Sequence, residues 1–355
     1  MNIRTRDFIH TKDDLFFATT NYIHPKDRVL AFLRYVPDES GDRTKNGVKY
    51  SKLSSDESYS YLRENYPEYL YYCDTTNIEM IGVPVDKIKN VIKPEECLKE
   101  IRENEENNSN NNKENNILYE KLIDLSDFFH YIGGIPYEKL GISGSILPNL
   151  ERKSISDIDF VVYGLNNHRI AIETFKKYKD KEILISNKPV RLNSIDDTFW
   201  NRLYEKRIKD SSLTKEEFSF YESRKNNRGV INGTLFDILL TRDWNEIHGN
   251  WGDVKYEKVG EGIIEANIKN SIFAFDNPAV YEIDDLKILK GEKINISEIA
   301  SFTHTYSGQA LDGERIIAQG KVEKVVEIGK DPYYRLVVGT TRESMNEFIK
   351  LKGKS

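Results

Sequence analysis

The sequence predicts an α+β fold in which an N-terminal α+β unit precedes a mixed central domain and a C-terminal β-rich barrel or sandwich. Three observations lead to this prediction: strand-like aromatic runs beside a helix signal near the start, one segment without apolar side chains, and several strand-like runs near the end. With 355 residues, the chain exceeds a typical single domain. The predicted parts are the N-terminal unit at 1–102, a flexible linker at 103–116, a central domain at 117–250 and the β-rich domain at 251–355.

The composition is typical of a soluble protein with a highly charged surface, since 38% of the residues are hydrophobic and 31% are charged. No apolar run approaches the roughly 20 residues that span a bilayer, so we expect no membrane partner. Cys73 and Cys97 lack zinc-type spacing, which predicts a reducing, cytoplasmic setting. A net charge of -6 argues against coating of nucleic acid over the whole surface but permits a local basic groove.

The N-terminal unit is predicted from residue types that favour strands, followed by a helix signal. Residues 14–23 and 28–36 are rich in aromatic and β-branched side chains, which predicts two strands joined by a turn. Residues 54–65 begin with serine and acidic residues and end before Pro67, which predicts a helix. Together these elements predict the α+β unit.

Residues 103–116 contain no apolar side chain. Such a segment cannot bury enough surface to offset the entropy that it loses on ordering, so we predict a flexible linker. All candidate site residues follow this segment in the chain. A fragment that begins near residue 117 is therefore expected to keep nucleotide binding.

The central domain carries its first motif at a turn and the strand that follows it. Gly144-Ser145 forms a small-residue turn after a short predicted strand at 139–143, and the next strand contains Asp157 and Asp159. Residues i and i+2 of a strand point to one face, so we expect both carboxylates to project together and to need a cation between them. The turn offers backbone amides and a hydroxyl to an anion. Helices are predicted at 118–129, 168–178, 196–209 and 214–226.

Asp237 is the second motif, because it is the one charge in an otherwise apolar predicted strand at 234–241. A buried carboxylate needs a partner, since burial of an unpaired charge is costly. Three environments are open at this stage: a metal ion shared with the first pair of aspartates, an ion pair with a nearby arginine, or water at a strand edge. If the third carboxylate of a metal site is another residue, Asp196 or Asp197 is the alternative.

In their order and strand context, these residues resemble the signature of the nucleotidyltransferase superfamily of DNA polymerase beta. The resemblance covers residues 117 to 245, and the flanking regions are similar to companions of this domain in uncharacterised archaeal proteins. It implies a polymerase-beta-type core and a Mg²⁺-dependent enzyme that moves a nucleoside monophosphate from a nucleoside triphosphate, such as ATP, to a hydroxyl. An RNA 3′ end, a protein side chain and a small molecule all remain open as the acceptor.

The resemblance also implies a role for each candidate residue in a two-metal mechanism. Asp157 and Asp159 would bind two Mg²⁺ ions, and Asp237 would bind the ion that activates the acceptor. The implied nucleotide-binding residues are Gly144, Ser145 and Arg228. The alternative function is a non-catalytic nucleotide- or RNA-binding protein built on the same fold.

The C-terminal domain is predicted from four strand-like runs divided by Gly and Asp-Pro turns, at 262–268, 279–289, 315–326 and 333–338. This pattern predicts a small antiparallel barrel or sandwich, and a closing helix is predicted at 343–351. Such barrels often bind nucleic acid, and a packing or interaction module is equally consistent with the pattern.

Overall fold

The computed structural model of the protein describes residues 2–108, 117–152, 156–339 and 345–353. The chain is rich in sheet, with 39% strand and 26% helix. The described residues form three sheets, one of which closes into a barrel. The predicted α+β class with a polymerase-beta-type core is therefore wrong. No helix within the described ranges is long and apolar enough to cross a membrane.

The chain divides into two compact units, and each is formed from several stretches of sequence. The first unit consists of Met1–Cys73, Ile78–Ser194 and Asn227–Trp251. The second consists of Asp74–Asn77, Ile195–Asn226 and Gly252–Ser355. The first unit contains two of the sheets, and the second contains the barrel.

The first sheet has eight strands and lies in the first unit. Its strands are β1 (Phe8–Thr11), β2 (Phe16–Thr19), β3 (Arg28–Pro37), β4 (Arg43–Lys45), β5 (Val48–Lys52), β6 (Leu70–Cys73), β7 (Ile78–Pro84) and β8 (Ile88–Ile92). Six of them follow the order β4-β5-β3-β2-β1-β8, while β7 pairs with both β3 and β6. The sequence predicted only two strands here, because short strands such as β4 carry polar residues and depend on partners elsewhere in the chain.

Two helices follow strands of this sheet in the chain. Helix α1 (Ser55–Asn65) begins with a capping box in which Ser54 and Glu57 satisfy each other's backbone amides. Helix α2 (Pro94–Asn108) buries Leu98 and Ile101 on one face. Because α2 continues past these apolar residues, it includes residues 103–108 of the segment that was predicted to be a linker. The rest of that segment, 109–116, lies outside the described residues.

The second sheet has six strands in the order β11-β12-β13-β14-β10-β9. Its strands are β9 (Leu140–Ile142), β10 (Ile158–Tyr163), β11 (Glu182–Ile185), β12 (Lys188–Asn193), β13 (Arg228–Ile231) and β14 (Thr234–Thr241). The helices in this part of the first unit are α3 (Ile117–Asp127) and α4 (Leu165–Tyr178). β10 and β14 are parallel, whereas the other neighbours are antiparallel.

The two sheets of the first unit share one hydrophobic core. Phe16 and Tyr35 of the first sheet belong to the same buried cluster as Ile142 and Phe160 of the second sheet. Leu98 of α2 also contributes to this cluster. Apolar burial stabilises folds at roughly 25 cal/mol per Å². Because they contribute to this core, the first hundred residues, apart from Asp74–Asn77, are an integral part of the first unit.

The second unit contains the barrel. Its strands are β15 (Val254–Asn270), β16 (Ala279–Lys290), β17 (Ile296–Ser301), β18 (Arg315–Glu327), β19 (Tyr333–Val338) and β20 (Phe348–Leu351), and its helices are α5 (Asp197–Arg207) and α6 (Lys215–Lys225). β15 pairs with both β16 and β18, which closes the ring. The helix predicted at 343–351 is wrong, because Phe348–Leu351 pair with β18 as a strand and bury Ile349.

His168 of α4 gives a prediction for stability. Burial lowers the pKa of His168 to about 4, and its Nε2 contacts the carbonyl oxygen of Ile238 at 3.3 Å. In the unfolded chain, His168 binds a proton near pH 6.5. The stability that comes from the burial of neutral His168 is therefore complete above that pH and is lost as the pH falls towards 4. We expect His168 to account for about 3 kcal/mol of the free energy of unfolding lost over this range.

Urea unfolding of wild type and His168→Gln at pH 7 and pH 4.5 measures this contribution. The variant should lose less stability on acidification than the wild type, whatever its stability at pH 7. His248→Gln is the matched control, because His248 is exposed. Equal losses in wild type and His168→Gln would contradict the prediction.

Candidate functional site

The candidate site begins with two aspartates on neighbouring parallel strands. Asp159 of β10 lies in register with Asp237 of β14. Neighbouring strands are about 4.8 Å apart, and paired residues point to the same face of a sheet. The alternate residues Phe160 and Ile238 are almost fully buried on the other face. The parallel pairing in this register therefore places the two carboxylates side by side.

The turn after β9 packs directly against the first of these carboxylates. Gly144 has a φ of 67°, in the left-handed region, and a Cβ added there would lie 1.9 Å from Oδ2 of Asp159. The backbone amide of Ser143 donates to the carbonyl oxygen of Asp159 at 2.9 Å. Only glycine fits at position 144 without a shift of the carboxylate.

Ser145 and Asp157 have different surroundings from this pair. The hydroxyl of Ser145 donates to Oγ of Ser156 at 3.2 Å, and its carbonyl oxygen accepts from the backbone amide of Leu150 at 2.9 Å. Asp157 is exposed and lies just before β10 begins. The structure thus brings Gly144, Asp159 and Asp237 together, and it places Ser145 in the loop that follows the turn.

Arg228 lies beside Asp237 as its cross-strand neighbour between β13 and β14. Its Nε and Nη2 donate to the two carboxylate oxygens, with Nη2 at 3.0 Å from Oδ2. A bidentate pair of this kind is strong and directional. Of the environments that the sequence left open for Asp237, the structure contains the ion pair with an arginine.

The electrostatic surroundings of Asp159 include residues of the first sheet. Burial raises the pKa of Asp159 above its ordinary value of 3.8, and the charge of Asp237 raises it further. Arg6, Lys52 and Arg34 oppose this shift and lower the pKa. Sequence reasoning did not select these three cations, because no local pattern shows which distant strands will pack against a carboxylate.

The donor set fits one cation better than two. Asp159 and Asp237 offer adjacent carboxylate oxygens, which are the ligands that Mg²⁺ prefers. The described part of the chain contains no group of three or more His, Cys, Asp or Glu side chains placed to hold a metal ion. Asp196, the alternative third carboxylate, caps α5 by accepting from the backbone amide of Phe199 at 3.0 Å.

Comparison with known proteins identifies a relative but no activity. The chain is 44% identical over 362 residues to the uncharacterized protein MJ1086 of Methanocaldococcus jannaschii, with 99% of this chain and 100% of that protein covered. This chain belongs to the same family. No family model and no solved structure matches it. The resemblance to nucleotidyltransferases thus stays a prediction from the motif.

Proposed function

We propose that the protein binds a nucleoside triphosphate with Mg²⁺ at Asp159 and Asp237 and transfers the nucleoside monophosphate to a hydroxyl acceptor. The observation that carries this proposal is the pair of carboxylates in register, with Gly144 against one of them. Two like charges at this separation favour a bound cation. The proposal rests on the chemistry of the site and is independent of the predicted fold class.

In such a transfer the acceptor oxygen bonds to the α-phosphorus, the bond from that phosphorus to the bridging oxygen breaks, and pyrophosphate leaves with the electron pair. The proton of the acceptor hydroxyl passes to solvent. A Mg²⁺ bound by Asp159 and Asp237 would neutralise charge on the phosphate oxygens. Gly144 lets Asp159 lie against the turn, so a cation ligand and the predicted phosphate-binding turn are adjacent.

A cytoplasmic setting is part of the proposal. Cys73 and Cys97 are both buried as free thiols. Proteins of reducing compartments keep their cysteines in this form. An RNA 3′ end, a protein side chain or a small molecule in that compartment would serve as the acceptor.

One observation favours a second candidate, a nucleotide- or RNA-binding protein without catalysis. Arg228 already neutralises the charge of Asp237. The other carboxylate of the site is Asp159, and its pKa is raised. Binding of Mg²⁺ to both aspartates requires that Asp237 share its oxygens between the ion and Arg228, or that Arg228 move. A protein that binds nucleotides without transfer would need no such change.

A transfer assay separates the two candidates. Wild type is incubated with each α-labelled nucleoside triphosphate, Mg²⁺ and fractions of cellular RNA, protein or small molecules. We expect label in one fraction, and we expect Asp237→Ala to lower the transfer rate by at least about 100-fold because a cation ligand is lost. Asp86→Ala, which removes an exposed aspartate of the first unit, is the control.

Transfer by Asp237→Ala at the wild-type rate would show that Asp237 serves only its ion pair with Arg228. Nucleotide binding by wild type without transfer to any fraction would favour the second candidate. Binding and transfer are therefore measured on the same preparations.

A further inference from the structure

Three cations from the first 52 residues of the chain act on the carboxylate of Asp159. Arg6, Arg34 and Lys52 come from separate strands or loops, and each interacts electrostatically with Asp159. The shared core of the first unit fixes this arrangement, since Tyr35, which follows Arg34, packs in the same cluster as residues of the second sheet. Three separate features of the backbone direct these cations to the site.

The first feature is a left-handed backbone at Arg6. Its φ is 77°, a left-handed conformation that is strained for a non-glycine residue. The hydroxyl of Ser143, next to Gly144, donates to the carbonyl oxygen of Arg6 at 2.9 Å. Nε of Arg6 is buried and has no hydrogen-bond partner among the described residues. A buried donor of this kind is available to an acceptor atom of a ligand.

The second feature is a β-bulge at Arg34. Phe16 of β2 pairs with Tyr35, whereas the next residue, Phe17, pairs with Leu33, so Arg34 is the extra residue of β3. Bulges redirect side chains and occur often beside functional sites. Tyr35, the residue after the bulge, interacts electrostatically with Asp159.

The third feature is strand pairing at Lys52. Lys52 is the last residue of β5 and lies in register with Tyr35 of β3. Its side chain is exposed, so it can reach a ligand in solvent. In a protein of net charge -6, these three cations act on Asp159, and Arg228 pairs with Asp237. This group of positive charges favours an anion with several charges.

We propose that Arg6, Arg34 and Lys52 bind the triphosphate of the nucleotide, so that the first sheet forms one wall of the site. This inference rests on the proposed function and names the residues that recognise the anionic part of its substrate. Guanidinium and ammonium groups form charge-assisted hydrogen bonds with phosphate oxygens. It also changes an expectation from the sequence, because a fragment that begins near residue 117 would lack all three cations.

The experiment measures binding of Mg²⁺–tripolyphosphate to the full chain by calorimetry. Lys52→Gln and Arg34→Gln should each weaken this binding by about tenfold or more, and Lys52→Arg should retain it. Lys49→Gln is the matched control, because Lys49 is an exposed lysine of the same strand, an odd number of residues from Lys52 and so on the opposite face. The same substitutions should weaken binding of AMP, which carries one phosphate, less than they weaken binding of tripolyphosphate.

Each outcome bears on the inference separately from the transfer assay. Weaker tripolyphosphate binding by Lys52→Gln but not by Lys49→Gln supports it, whether or not transfer occurs. Equal binding by these two variants overturns it and leaves the proposed transfer untouched. Failure of the wild type to bind tripolyphosphate also overturns the inference. So does a result in which the variants lose affinity for a single-stranded RNA oligonucleotide but not for tripolyphosphate. Transfer itself is judged separately, from the labelled nucleotides.

Discussion

Replacement of Asp159 by asparagine is expected to abolish Mg²⁺-dependent nucleotide binding and, at the same time, to stabilise the fold. The raised pKa of Asp159 means that the folded state favours the protonated carboxyl group. The stability that Asp159 contributes is therefore present below pH 3.8 and is lost as the pH rises through the raised pKa. The charged carboxylate is therefore the less stable form in the folded protein, and asparagine removes that charge with little change of shape.

We expect the Asp159→Asn protein to gain roughly 1–2 kcal/mol in free energy of unfolding at pH 7, and to lose at least about 100-fold in affinity for Mg²⁺–ATP. Thermal unfolding and calorimetry measure the two effects. Asp86→Asn is the control for stability, because Asp86 is exposed and a surface change of this kind alters stability by about 0.5 kcal/mol or less. A less stable Asp159→Asn protein with unchanged binding would show that Asp159 is a structural residue.

The strands that carry the site could be predicted because their local patterns are strong. The predicted strand at 234–241 matches β14, and its one interrupting charge identified Asp237. The neighbour relation between Asp159 and Asp237 depends on the parallel pairing of β10 with β14, which the motif only implied. Local alternation selected Asp157 and Asp159, and the single charge in an apolar run selected Asp237. Tertiary pairing decided their actual partners, including Arg228.

The rest of the structure depended on contacts between distant parts of the chain. The bulge at Arg34 arises from a register shift against β2, and the pairing of Lys52 with Tyr35 joins different strands. A polar segment was predicted to be a linker, yet residues 103–108 extend a helix that apolar residues such as Leu98 had anchored. At the C-terminal end, Phe348–Leu351 became a strand because β18 offered a partner. Local propensity is a weak guide where a distant strand supplies the hydrogen bonds.

Substitution of Gly144 by alanine tests the packing of the turn against Asp159. Two costs add at this position. A non-glycine residue at a φ of 67° costs about 1–2 kcal/mol, and a Cβ 1.9 Å from Oδ2 of Asp159 forces the carboxylate to move. We expect Gly144→Ala to lower the free energy of unfolding by roughly 2–4 kcal/mol and to weaken Mg²⁺–ATP binding.

Gly134 provides a matched control for the backbone cost alone. Its φ is 69°, nearly the same as that of Gly144, but a Cβ added there would meet nothing within 4 Å. Gly134→Ala should therefore lower the free energy of unfolding by about 1 kcal/mol and keep its Mg²⁺–ATP affinity.

The contact between Gly144 and Asp159 is isolated by a double-mutant cycle in urea unfolding, because Asp159→Ala removes the two nearest atoms, Oδ2 and Cγ. The cost of Gly144→Ala should fall by about 1 kcal/mol or more in the Asp159→Ala background. If that cost is the same in both backgrounds, Gly144 is needed only for its backbone conformation, and the turn does not hold the carboxylate in place.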